Sequence, residues 1–461
     1  MAMLLMDVFG KRSLRLLWTG SACLSAFAFL IPQARLFGTA MHGHLFIDGF
    51  SWIFGSIILL SGFLVFLLGD NLLQAQRAKS SIDVDFLLLM SLAGALITVS
   101  AANMVVLFIG IELMSIPLYV LAGIARLERA SAEAALKYFI LGAFSSAFFL
   151  YGIVFIYGVT GSMNLLEIAQ YSPNENALFL VGLGLIIFGF AFKVGLVPFH
   201  VWAPDVYQGS PTFISTFMAV IVKAAGFAAF IRVMHLAFSS ATAHWEGLIW
   251  ILAVLTMTVG NLAALRQQSI KRMLAYSSIA HSGYAVMGLL GLGAGQGAEA
   301  VIYYIIAYSL MTIASFGVVL LVTAGSDAQY DKDEIESLSG LGWSHPFLGV
   351  VMSVAMLSLA GIPPLAGFVG KFYIFSSVVQ SGFVGLAIIA ALNSVVSLYY
   401  YFRVLVVMYF KTERTVSWMP ALDIPLAPAL ALSLATAGTL LLGVFADTVR
   451  VAVDLAVRSI G

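Results

Sequence analysis

The chain has 461 residues, 61% of them hydrophobic and 10% charged, with 22 basic against 22 acidic side chains and a mean hydropathy of +1.03. Soluble domains carry about 25% charged residues, so this composition excludes an ordinary globular enzyme and describes an all-α polytopic membrane protein. Zero net charge argues against a nucleic-acid partner, and a single cysteine, Cys23, excludes a disulfide framework and a cysteine-held iron–sulfur centre.

The N-terminal MAMLLMDVFGKRSLR lacks the charged region, apolar core and small-residue site of a cleaved signal, so the first span is expected to stay. About thirteen apolar spans follow, near 14–31, 50–68, 84–100, 103–123, 134–158, 177–208, 212–236, 247–265, 272–292, 299–323, 346–375, 382–408 and 427–446. No GxGxxG opening a βαβ unit and no Walker loop interrupts them, so nucleotide chemistry is not expected in this chain. Counting Lys and Arg on alternate sides gives thirteen against four. The larger set is Lys11, Arg12, Arg15, Arg77, Lys79, Arg126, Arg129, Arg266, Lys271, Arg272, Lys332, Lys411 and Arg414; the smaller is Arg35, Arg232, Arg450 and Arg458. That asymmetry predicts a cytoplasmic N-terminus.

Two spans are interrupted, the sixth by VPFHVWAPD and the eleventh by LAGIPPLAGFVGKF, five spans apart and each with a lysine near its break, Lys193 and Lys371. Proline frees a carbonyl within a helix, and irregular backbone inside a bilayer persists only where it faces protein or water. The spacing predicts two five-helix repeats, 84–236 and 247–408, flanked by N-terminal helices over 1–83 and a C-terminal helix and tail over 409–461. Because five is odd, adjacent repeats enter the membrane in opposite directions, the inverted pattern of transporters. Unrelated Gly/Pro kinks are the plainer explanation, and the paired lysines weigh against it.

Among the acidic residues, Glu112 sits well inside a span, in LFIGIELMSIPLYV; Glu133 and Lys137, one helical turn apart, could simply pair at the interface. A lysine at central depth costs about 2.5–3.5 kcal/mol, so Lys193, Lys223 and Lys371 need water or a shared carboxylate. Burial can lower a lysine from about 10.4 by 3–5 units and a neighbouring carboxylate raises it again. Glu112 approaching or leaving Lys193 would thus switch that lysine between holding and releasing a proton. A structural ion-pair network is the alternative. His200, after the helix break, and His281, in YSSIAHSGY, could relay protons, although a lone buried histidine is more often a hydrogen-bonded structural residue. No pair has metal-site spacing.

The stretches LFIGIELMSIPLYVL, SAEAALKYFILGAFSSAFFLYG, FKVGLVPFHVWAPDVYQGSP, GNLAALRQQSIKRMLAYSSIAHSGY and LSLAGIPPLAGFVGKFYIF resemble the subunit N family of bacterial NADH-quinone oxidoreductase, respiratory complex I. The resemblance spans about residues 45 to 410. It implies an antiporter-like, proton-translocating membrane subunit of the bacterial inner membrane, driven by quinone reduction elsewhere in the complex. Its partners are other membrane subunits, lipid and, indirectly, quinone; FMN and iron–sulfur clusters belong to partner subunits. By the family pattern Glu112, Lys193, Lys223 and Lys371 conduct the proton, with Lys137 and His200 secondary. The family usually has fourteen spans, and here the first is reduced to MAMLLMDVF. An antiporter subunit of a cation/proton exchanger or a membrane-bound hydrogenase would share these features. A wedge that only holds its neighbours together is the third reading.

Overall fold

The computed structural model describes residues 15–30, 38–69, 81–125, 128–171, 176–293, 295–325, 333–411 and 424–459, nearly all of them helical. In a bilayer a helix satisfies its own backbone groups, and long apolar runs have no other way to do so without a closed barrel. The helices are α1 (Arg15–Leu30), α2 (Gly49–Leu68), α3 (Ser81–Ser100), α4 (Met104–Ala122), α5 (Arg129–Thr160), α6 (Ala177–Val194), α7 (Trp202–Gly209) and α8 (Thr212–Leu236). They continue as α9 (Thr242–Leu265), α10 (Ile270–Met287), α11 (Gly297–Gly325), α12 (Pro346–Ala360), α13 (Ala366–Gln380), α14 (Val384–Phe410), α15 (Leu426–Val444) and α16 (Ala446–Val457). A short hairpin of β1 (Gly38–Ala40) and β2 (Leu45–Ile47) precedes α2.

Ten helices among the described residues are long and apolar enough to cross a membrane. Three more expected spans fall on the short α1, on α10, and on the pair α12 and α13. The polar run YSSIAHSGY lowers the hydropathy of α10. The expected reduced first family span lies outside the described residues, as do Lys11, Arg12, Arg35, Arg77, Lys79, Arg126, Lys332 and Arg414.

Burial sorts the helices. The apolar window of α8 is 100% buried and that of α11 is 89% buried, whereas α5, α14 and α15 are each 33% buried. The two inner helices form the centre, and the outer three turn residues such as Phe139, Phe144, Leu392 and Leu434 outwards. Outward apolar surface of this extent suits a lipid solvent.

The two breaks share one construction. Helix α6 ends at Gly195 with φ +74°, and α12 ends at Gly361 with φ +88°, both left-handed. The following amide then turns back onto the helix: Leu196 N–H donates to the Ala191 carbonyl at 2.7 Å, and Ile362 N–H to the Leu357 carbonyl at 3.0 Å. This is the six-to-one closure that glycine at a helix end permits. Cis peptide bonds follow at Val197–Pro198 and Pro363–Pro364. At Gly361 a Cβ would stand 3.1 Å from Lys371 Cδ and 3.2 Å from its Nζ. Gly361→Ala is therefore expected to destabilise the protein by about 1–2 kcal/mol through left-handed strain alone. Gly385→Ala, in a helix with open space, should not; thermal denaturation of the two variants checks this.

One buried ion pair was not legible in the sequence. Arg232, counted above with the basic residues of one membrane side, is 1% exposed and donates to both carboxylate oxygens of Asp48 at 2.7 and 2.9 Å. It also donates to Ser51 Oγ at 2.9 Å and lies over the rings of Phe46 and Phe50. Asp48 caps α2 by accepting from Ser51 N–H at 2.7 Å, so α2 and α8 are pinned together at that end. Burial disfavours the charged Asp48 carboxylate, but the Arg232 and Ser51 hydrogen bonds outweigh it and hold its pKa below the usual range.

Candidate functional site

The polar groups of the interior start at α4. Glu112 and Lys193 line one cavity of about 10 Å³ together with Ser145, Ser146 and Gly189, roughly the space for one water molecule. Among the described residues they form no direct ion pair. Lys193 Nζ donates to Ser115 Oγ at 2.5 Å, one turn beyond Glu112, and Glu112 Oε1 accepts from Ser146 Oγ at 2.5 Å. Ser115 in turn donates to the Ile111 carbonyl at 2.5 Å. Carboxyl and ammonium thus share a pocket with hydroxyls between them.

From Lys193 the polar groups pass to α8 and α10. A Cβ on Gly226 would lie 3.9 Å from Lys193 Cβ, so Lys193 packs against the turn that follows Lys223. Lys223 stands where a π-helical turn, Met218–Val222, returns to α-helix. Such turns are rare and recur at functional sites. Lys223 is 5% exposed, and its Nζ donates to the Ser278 carbonyl at 2.6 Å and to Ser278 Oγ. It also sits 4.9 Å from the centre of the Tyr308 ring, whose hydroxyl donates to Ser278 Oγ at 2.8 Å. Its partners are neutral. A serine hydroxyl both donates and accepts, so it can serve the lysine with or without its proton.

Four residues apart on α10, Ser278 and Ser282 share a face, as do Ser277 and His281. Ser282 Oγ donates to the Val194 carbonyl at 2.6 Å, which ties α10 to the end of α6. His281, 2% exposed, holds Tyr304 OH at 2.5 Å through Nδ1 and Tyr401 OH at 3.0 Å through Nε2. Tyr401 OH also meets Ser277 Oγ at 2.5 Å. One turn on, the Tyr284 ring lies 5.1 Å from Lys371 Nζ. The run YSSIAHSGY therefore places hydroxyls and an imidazole from Lys223 to the neighbourhood of Lys371. The i, i+4 spacing of its serines and histidine was the signal in the sequence; Tyr304, Tyr308 and Tyr401 carried none, being indistinguishable there from lipid-facing aromatics.

Lys371 is held by the break itself. Its Nζ donates to the Leu359 and Ala360 carbonyls at 3.2 and 3.0 Å, and to Ser394 Oγ at 2.9 Å. These are the last carbonyls of α12, unpaired and at the negative end of the helix dipole. Lys193 occupies the last turn of α6. One lysine thus precedes its break and the other follows it in sequence, yet both belong to the carbonyl end of the leading half-helix.

The two secondary candidates lie apart. Lys137 is 40% exposed and pairs with Glu133 and Asp205, each at 2.6 Å. Asp205, on α7 beyond the first break, also receives Arg272 of α10 at 2.6 Å. This cluster of four joins the two expected repeats near one membrane end; the sequence paired Glu133 with Lys137 but connected neither to Asp205 or Arg272. His200 is half-buried in the turn, and among the described residues no hydrogen bond links it to the lysines.

Broken helices, buried lysines and the Glu112 carboxylate beside Lys193 define an antiporter-like membrane protein. The family described as NADH:quinone oxidoreductase/Mrp antiporter, TM, matches residues 101–397, which include the groups above from Glu112 to Ser394. NADH-quinone oxidoreductase subunit N of Trichlorobacter lovleyi is 43% identical over 419 residues, covering 90% of this chain and 84% of its own. The subunit N of Bdellovibrio bacteriovorus is 41% identical over 414 residues, covering 87% and 84%. A chain of respiratory complex I from Thermus thermophilus aligns with TM-score 0.84 at 34% identity, covering 99% of this chain and 97% of that one. A chain of the Mrp complex from Dietzia sp. shares the fold, with TM-score 0.86 at 20% identity over 99% and 94%. The chain belongs to the subunit N family of NADH-quinone oxidoreductase.

Proposed function

We propose that this chain moves protons through its interior as a membrane subunit of NADH:quinone oxidoreductase, along Glu112, Lys193, Lys223 and Lys371, with His281 between the last two. The observation that carries the reading is that α10 lines the stretch from Lys223 to Lys371 with three groups of polar contacts: Lys223 with Ser278 and Tyr308, His281 with Tyr304 and Tyr401, and Tyr284 beside Lys371. Each lysine has hydroxyl or carbonyl partners rather than a fixed counter-charge, so its charge is cheap to lose. A proton on Lys193 is favoured while Glu112 is ionised nearby. Displacing that carboxylate weakens Lys193 as a base, and a proton moves on through water and hydroxyls.

In this reading residues 84–236 and 247–408 are the two inverted repeats, 1–83 the leading helices, and 409–461 the closing helix and tail. The protein lies in the bacterial inner membrane with a cytoplasmic N-terminus, against other membrane subunits of the complex and lipid. Quinone is reduced in another subunit, and FMN and iron–sulfur clusters reside in partners. Lys137 serves the Asp205 cluster at the path's edge, and His200 borders the first break. Relatives at about 40% identity named subunit N favour this over a cation/proton exchanger.

Glu112→Gln keeps the acceptor for Ser146 and removes the charge. Proton pumping is expected to fall by about 10²-fold, the low end for one positioned proton-transfer group, with Glu112→Asp largely retaining it. Pumping by Glu112→Gln proteoliposomes at the normal rate would refute the assignment.

A further inference from the structure

A second set of titratable groups lies away from these residues, in a cavity of about 530 Å³. Its walls include Glu299 and Tyr303 of α11, Ser376 and Gln380 of α13, and Arg450 and Asp454 of α16. On α16 and its C-cap, Arg450, Asp454 and Arg458 recur every four residues on the cavity side, with Val451 and Val453 lining it beside them. Following the helices as they alternate across the bilayer, α10 and α13 end, and α11 begins, at this cavity's level. The opposite level carries Arg266, Lys271, Arg272 and Lys411. The cavity therefore opens on the side with fewer basic residues, the outward side by charge distribution.

Two features connect it with the interior. The first is that α11 and α13 each have one face in the cavity and another on the buried polar set. On α11, Tyr303 lines the cavity and the next residue, Tyr304, holds His281; on α13, Lys371 lies one turn before the cavity-lining Ser376. The second is that the Glu299 and Asp454 carboxyls lie within hydrogen-bonding reach of each other. Two carboxyls so placed share one proton, because both cannot ionise cheaply at contact distance. Arg458 Nε donates to Asp454 Oδ1 at 2.9 Å and holds that carboxyl below the usual range.

We propose that this cavity is the outlet of the proton path, with Glu299 as the group that exchanges protons with water and Asp454 as the residue that positions it. The proton on the Glu299 carboxyl passes to cavity water, leaving a carboxylate. Water between α11 and α13 then returns a proton from the His281 and Lys371 region, and that region is refilled from Lys223, so each cycle moves one proton outward and restores the starting state. Arg450, 3.8 Å from Asp447, and Arg458 keep the cavity from accumulating negative charge when Glu299 is ionised. This assignment rests on the path proposed above.

The test uses the assembled complex in proteoliposomes, measuring NADH:quinone turnover and proton pumping together. In a Cys23→Ser background, Ser376→Cys is treated from the outward side with a trimethylammonium methanethiosulfonate. Modification is expected to cut pumping at least twofold, and dithiothreitol to restore it; an unreactive residue 376, or a modified one with normal pumping, overturns the outlet. Independently, the double variant Glu299→Gln with Asp454→Asn is expected to lower pumping by about 10²-fold, the low end of what one positioned proton-transfer group contributes, with recovery in Glu299→Asp. Normal pumping by the double variant, while Lys223→Ala abolishes it, removes the outlet and leaves the path standing. Normal pumping in both removes the path itself.

Discussion

Lys223→Ala is expected to slow proton pumping by roughly 10²-fold, with NADH:quinone turnover falling alongside because the two are coupled. A positioned proton-transfer group contributes about 10²–10⁴-fold to its step, and Lys223 joins the Lys193 end of the interior to the His281 and Lys371 end. The informative companion is Lys223→Arg. Arginine keeps the positive charge and can still donate to the Ser278 carbonyl, but it does not deprotonate. If Lys223 is a proton carrier, the arginine variant fails like the alanine variant; if it only supplies a charge for packing, arginine restores function. Parallel measurement of pumping and quinone reduction separates the outcomes, with assembly of the complex checked by gel filtration.

Asp48→Ala should be the most damaging substitution for folding. It leaves Arg232 charged and 1% exposed without its carboxylate, and breaking a buried pair by removing one partner costs about 3–5 kcal/mol. The α2 cap on Ser51 N–H is lost as well, which adds about 1 kcal/mol. Replacing the pair together, Asp48→Ala with Arg232→Met, is expected to recover much of that loss, since no unpaired charge remains. Thermal melts of the single and double variants decide the matter. The pair also has a pH signature. The folded pKa of Asp48 is lowered, so its stabilisation is fully present above the unfolded value of about 3.9 and is lost as pH falls through the folded one.

Membrane character, the helical class, both breaks and the four interior charges could be read from the amino-acid order. Each follows from a local property: run length sets a span, glycine and proline end a helix, and a charge within an apolar run is conspicuous wherever it packs. The family was legible too, because its broken-helix stretches are long and contiguous. Several residues were not assigned this way. Arg232 seemed a boundary residue because its partner Asp48 stands 184 positions away in sequence. Asp205 brings Lys137 and Arg272 together across 68 and 67 positions. The tyrosines around His281 looked like membrane-facing rings.

What the amino-acid order determined by itself is which segments cross the bilayer, where two of them break, and that Glu112, Lys193, Lys223 and Lys371 sit within apolar runs. Only the folded chain decided which neutral groups surround those charges. It put Ser115 and Ser146 at the Glu112–Lys193 cavity, Ser278 on Lys223, and the carbonyls of Leu359 and Ala360 on Lys371. The reason is physical. A buried charge declares itself by its own cost in an apolar segment, whereas the hydroxyls and carbonyls that offset the cost are common everywhere and gain meaning only through distance.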